Sequence, residues 1–130
     1  MKHIKLIAAV TLVLAAAPAF AANWVYVTES ESNAVFHYDN DTIQRSGNQV
    51  TAWVMGDHSR DKTVKKRETK DRIRYNCAQK TLTVLQQIKY YPDGRSETLI
   101  VKPYEQEEFA VPPDSVADAM LEAVCEATAP

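Results

Sequence analysis

Two cysteines, Cys77 and Cys125, constrain this 130-residue chain more than any other feature. They form no Cys-x-x-Cys pair, so whether they bond depends on the compartment they reach. The N-terminus points to that compartment. Lys2 and Lys5 stand before an apolar run from Leu6 to Ala17, broken only by Thr11, and then come Pro18 and the triplet Ala19-Phe20-Ala21. Basic, apolar and small-residue regions in that order read as a secretory signal peptide. Cleavage is expected after Ala21, leaving residues 22–130 as the mature domain. The apolar run is about a dozen residues, whereas a membrane-spanning helix needs about 20. It also lacks the polar face of a helix packed on a core. No cysteine follows it that could carry a lipid, so the expected destination is the periplasm or the cell exterior. In an oxidising compartment an isolated cysteine pair bonds. Joining 77 to 125 closes a loop worth on the order of 4 kcal/mol in the chain-entropy account, a large share of the net stability of a small domain.

Removing 21 residues from 130 leaves 109, enough for one domain and too few for two. Loss of Lys2 and Lys5 leaves 13 Lys and Arg against 17 Asp and Glu, a formal charge of −4. A nucleic-acid partner is not expected of such a domain.

Most of the mature chain reads as strands. Trp24 to Val27 is aromatic and β-branched, and Ala34-Val35-Phe36-His37-Tyr38 repeats that composition before the turn formers Asp39-Asn40-Asp41. Ser46-Gly47-Asn48 leads into Gln49 to Met55, where Val50, Ala52 and Val54 alternate with Thr51, Trp53 and Met55, apolar on both faces. Gly56 to Lys62 is charged and aperiodic and reads as an exposed loop. Between Val64 and Cys77, Ile73, Tyr75 and Cys77 share one face and Lys70, Arg72 and Arg74 the other. Leu82, Val84, Ile88 and Tyr90 fall on one face of the next strand, with Gln86 as an interruption. Tyr91-Pro92-Asp93-Gly94 then turns the chain into Thr98 to Val101.

After Pro112-Pro113-Asp114 the period lengthens. Ser115 with Asp118 forms an S-x-x-D cap, and Val116, Met120 and Val124 recur every fourth residue beside Ala117, Leu121 and Cys125. A helix of roughly 11 residues is marginal alone and needs a surface beneath it. The expected fold class is therefore α+β: a single meandering antiparallel sheet of about six strands, with a C-terminal helix packed on one face and tethered by the disulfide.

No catalytic constellation is legible, and no cofactor is expected. His37 lies in a strand pattern and reads as structural. Asp57-His58-Ser59-Arg60-Asp61 gathers potential ligands but lacks the four Cys or His positions of a structural zinc site. No serine has a G-x-S-x-G context, and three glycines supply no phosphate-cradling loop. The informative feature is a basic stretch within an acidic protein, from which Lys66, Lys70, Arg72 and Arg74 are the candidate partner-binding residues. Strand alternation puts the last three about 7 Å apart in one row. Such a row attracts sulfated glycans, anionic lipid or acidic protein surfaces. The competing reading is a lysine-bearing edge strand that blocks sheet-to-sheet pairing, with Glu68 and Asp71 diluting the charge.

Trp24-Val25, Tyr38-Asp39 with Ile43, Trp53 within Val50 to Val54, Cys77, Tyr90-Tyr91 with Asp93-Gly94, and Pro113-Asp114-Ser115-Val116 running to Cys125 occur in an order that resembles the surface-adhesin protein E family of Gram-negative bacteria. The resemblance implies an antiparallel sheet with a disulfide-tethered C-terminal helix. It also implies a non-enzymatic binding module for host extracellular matrix or serum proteins, such as laminin, vitronectin and plasminogen, with a capacity to form a homodimer. The alternative is a periplasmic accessory protein that is not displayed at the surface.

Overall fold

A computed structural model describes residues 22–130, and the expected signal peptide lies outside them. Eight strands form one antiparallel sheet: β1 (Trp24–Glu29), β2 (Val35–Asp39), β3 (Gln44–Ser46), β4 (Gln49–Asp57), β5 (Glu68–Asn76), β6 (Thr81–Tyr90), β7 (Ser96–Ile100) and β8 (Glu108–Ala110). The spatial order is β1-β2-β4-β5-β6-β7, with β3 also pairing to β4 and β8 to β6. The six-strand meander expected from the sequence is this main path. Two three-residue strands and a 3-10 turn at Pro103–Glu105 are added to it.

The sharp connections follow their residues. The two-residue β3–β4 hairpin pairs Ser46 with Gln49 and puts Gly47 first at φ +60°, the positive-φ position that glycine accepts without strain. In the β6–β7 hairpin Gly94 takes φ +88°, and the Tyr91 amide donates to the Arg95 carbonyl.

The helix α1 spans Val116–Ala127. Ser115 Oγ accepts the Asp118 amide at 3.1 Å, while the Asp118 carboxylate accepts the Asp114 amide at 3.0 Å. This is the cap read from the sequence, with its return bond one residue earlier than a standard capping box. Met120, Leu121 and Val124 are buried against a core of Tyr38, Val50, Ala52, Val54, Ile73 and Tyr75. The helix lies over β1, β2 and β4, so the core is concentrated on that half of one sheet face. At the helix C-terminus Arg45 Nη1 donates to the Cys125 carbonyl at 3.1 Å. The Cys77–Cys125 disulfide ties that end to the end of β5, with 5.9 Å between the Cα atoms.

Three sequence expectations are corrected. Gly56 and Asp57 do not open a loop but complete β4, because Gly56 pairs with Thr69 across to β5, which starts at Glu68 rather than Val64. Asp61, expected in exposed loop, is buried at 7% exposure. On β6 the four apolar residues do not share a face. The register slips at Leu85, with Arg72 opposite Gln86 but Ile73 opposite Val84. That bulge sends Leu82 and Val84 toward the helix side, and Ile88 and Tyr90 to the opposite side with Gln86. The Val101 amide donates to the Leu85 carbonyl at 3.0 Å, which keeps the bulged residue bonded.

Candidate functional site: the sheet face opposite the helix

Directly opposed residues of antiparallel strands project to the same side. From this rule the face away from the helix can be built row by row. One row crosses the whole sheet: Tyr26, His37, Met55, Lys70, Ile88 and Thr98. The next runs Trp53, Arg72, Gln86, Ile100, and a third runs Gln44, Thr51, Arg74, Thr83. The face is therefore aromatic and basic at once. Tyr26 at 59% and Ile100 at 67% exposure are its most open apolar residues.

The three expected cations of β5 do lie together on this face, but they are not equivalent. Lys70 Nζ sits 5.9 Å from the Trp24 ring centroid and 5.3 Å from that of Tyr90, within the range of attraction between a cation and an aromatic face, and 3.9 Å from Glu68. Arg74 is half-buried and donates to the Gln106 side-chain carbonyl at 3.4 Å. Arg72 is exposed, and among the described residues it has no hydrogen-bond or ion-pair partner. Glu68 shares the face and offsets Lys70. Asp71 does not dilute the row: it opposes Val54 and so points to the helix side.

Lys66 is not part of this row. It precedes β5, which starts at Glu68, and its charge acts on Asp71 and His58. The edge-protection reading of the basic strand is also corrected, because β5 is an interior strand flanked along its length by β4 and β6. Its cations protect no edge.

The histidine and acid cluster read from the sequence serves its own loop. His58 packs edge-on to Phe36 with centroids 5.9 Å apart, and burial lowers its pKa, reinforced by Lys66. Its Nδ1 stands 3.7 Å from Asp61 Oδ2, beyond hydrogen-bond reach. Asp61 accepts from the Thr63 hydroxyl at 2.5 Å and amide at 2.9 Å and from Ser32 at 3.0 Å, and these bonds hold its carboxyl down at about 2. Asp57 accepts the Ser59 amide. His37 stands on the aromatic face, edge-on to Tyr26 at 5.9 Å, with its Nδ1 buried and without a hydrogen-bond partner among the described residues.

Sequence reasoning missed a groove beside Arg72. Trp53, Thr51, Ala52, Gln44, Thr42 and Arg72 line about 190 Å³ in the gap where β2 and β3 succeed one another along β4. A second hollow continues from it over Gln44 and Thr51 to Ser46 and Gln49. The signal was present as Trp53 in phase with Thr51 and Met55, but its pairing with Arg72 depends on register. A larger groove of about 500 Å³ lies elsewhere, between the β1–β2 turn and the start of α1. Glu29, Glu31, Asp114, Asp118 and Glu122 line it without a basic residue, so it repels anions.

The family profile of surface-adhesin protein E matches residues 24–126. The chain belongs to that family. Crystal structures of protein E from Haemophilus influenzae share the adhesin fold at low identity. One crystal form superposes with a TM-score of 0.58 at 14% identity, covering 82% of this chain and 89% of that one. Another structure, from a non-typeable strain, gives 0.51 at 16% identity over 85% and 81%. A search of curated protein sequences finds no match. Among the described residues, no helix of this family member is long and apolar enough to cross a membrane.

Proposed function

We propose that this adhesin-family protein is an exported, non-enzymatic binding module whose contact surface is the sheet face opposite the helix, and that host matrix or serum proteins and their anionic glycans are its partners. The observation that carries the reading is the placement of Lys70, Arg72 and Arg74 in a row on an interior strand, among Trp24, Tyr26, Trp53 and Tyr90. An interior basic row has no role in edge protection, and aromatic plus arginine side chains are the residues that contribute most at interfaces. The face adds attraction for anions to a domain whose net charge is negative, which fits a partner recognised locally rather than by overall charge.

Solid-phase binding of the purified mature protein to laminin, vitronectin, plasminogen and heparin at physiological salt tests the reading. Charge reversal at Lys70, Arg72 and Arg74 is expected to abolish binding. Lys66→Glu, in the β4–β5 connection outside the row, is expected to retain it. No binding by the parent, or equal loss with Lys66→Glu, overturns the proposed surface. Protease treatment of intact cells tests display separately: digestion places the domain outside, and protection places it in the periplasm.

A further inference from the structure

We infer that the groove at Trp53 and Arg72 binds one acidic pyranose unit of a glycan chain, the anionic substituent on the Arg72 guanidinium and the apolar face of the ring on the indole. This rests on the proposed contact face and names the ligand class for one part of it.

The lining residues supply each chemical element such a ligand needs. Arg72 is the one cation of the row without an internal partner among the described residues, so its planar fork of donors is open to a carboxylate or sulfate. Trp53 opposes it directly across the β4–β5 ladder and contributes a flat apolar surface to the groove lining. Gln44 and Thr51 offer amide and hydroxyl groups that both donate and accept, the pairing that sugar hydroxyls require, and Thr42, whose hydroxyl donates to Asp39 Oδ2 at 2.6 Å, adds an acceptor. At 190 Å³ the groove is smaller than the roughly 300–1,000 Å³ of drug-sized pockets, which suits a single ring.

Two further observations favour a glycan over an acidic peptide. The groove does not end at Thr51 but continues along β3 past Arg45, Ser46 and Gln49, so a linear polymer can pass through with its next unit on polar side chains and beside a further cation. Arg74 opposes Thr51 on the same bank, a second cation one strand repeat, about 7 Å, from Arg72. A carboxylate side chain alone, as poly-glutamate presents, would satisfy Arg72 but would leave the Gln44 amide, the Thr51 hydroxyl and the indole unused.

The test is titration of ¹⁵N-labelled mature protein, reading the Trp53 indole N–H resonance. The probes are a heparin-derived oligosaccharide, a hyaluronan oligosaccharide that carries carboxylates without sulfates, a neutral cello-oligosaccharide and poly-glutamate. The Trp53 signal is expected to move saturably with at least one acidic glycan and with neither the neutral glycan nor poly-glutamate. Response to heparin alone assigns sulfate to Arg72, and response to both acidic glycans assigns either anion.

Arg72→Gln is expected to weaken binding about tenfold, as loss of a bidentate charged contact does. Arg72→Lys should recover part of the loss and Gln44→Ala should weaken binding several-fold. Arg72 and Gln44 are exposed, so these variants keep the fold, and their circular dichroism verifies it. Equal response to poly-glutamate or to the neutral glycan, no response to either acidic glycan, or an unaffected Arg72→Gln variant overturns the inference. If the parent binds laminin in the solid-phase assay but no glycan moves Trp53, the subsite fails and the contact face stands. If both fail, both readings fall.

Discussion

Asp71 occupies a position where strand alternation puts an apolar side chain. It opposes Val54 and precedes Ile73 on β5, and burial raises its carboxyl to about 6, with Lys66 and Lys89 pulling the other way. A folded pKa above the unfolded value near 3.8 means that the folded state favours the protonated acid. The associated stability is fully present below pH about 4 and is lost as pH rises through about 6. Asp71→Asn is therefore expected to stabilise the domain by about 1–2 kcal/mol at pH 7.5 and by almost nothing at pH 4. Urea midpoints of parent and variant at the two pH values check this, and a gap that stays constant with pH sinks it. Gly56 is the second position where one atom decides. A Cβ there would meet His58 Nε2 and Thr69 Oγ1 at 2.8 Å and Phe36 Cε1 at 3.1 Å. Gly56→Ala should lower stability by about 1–3 kcal/mol, the usual cost of overpacking, measured by denaturant unfolding.

Among the elements, α1 depends most on the rest of the molecule. Twelve residues are too few to hold a helix in water alone. Its apolar stripe, the Ser115 cap, Arg45 on the Cys125 carbonyl and the disulfide all act on the same segment. Replacing both cysteines by alanine should cost about 2–4 kcal/mol, seen as a lower unfolding midpoint, and hydrogen exchange should quicken in α1 before it does in β4. Uniform quickening across the sheet would show that the bond stabilises the whole domain and not this docking. The helix was legible in the sequence because a four-residue period, a capping serine and two prolines sit together. The β6 bulge was not. Periodicity marks Leu82, Val84, Ile88 and Tyr90 as one set, and only the pairing with β5 shows that Leu85 changes the phase between them.

At the scale of the molecule, one acidic and one basic cluster lie on opposite sides of the sheet. Five carboxylates line the groove between the β1–β2 turn and α1, and the arginine row lies on the opposite side of the sheet. A mature domain of net charge −4 is therefore expected to be retained on a sulfonate cation exchanger at low ionic strength near pH 7. It should elute by about 0.2 M salt, where screening lengths fall below 10 Å. The Arg72→Glu, Arg74→Glu double variant should pass through unretained, whereas a Lys66→Glu variant should still bind. Elution of all three proteins together would show that retention does not come from this face.

Much of the architecture is a local property of the chain. Alternation in Val50 to Val54 and in Ile73 to Tyr75, turn chemistry at Gly47 and Gly94, and the period of Val116 to Cys125 each concern residues a few positions apart, where backbone sterics and burial leave one solution. The pairing of the two cysteines needed no register, since only one bond was available. The site is another matter. Trp53 and Arg72 are nineteen positions apart and Lys66 and Lys70 four, yet the first two are opposed across one ladder while Lys66 stands outside the strand that carries Lys70. Strand register and the order of strands set those relations, and both arise from long-range packing of the whole sheet against one helix, which no window of sequence contains.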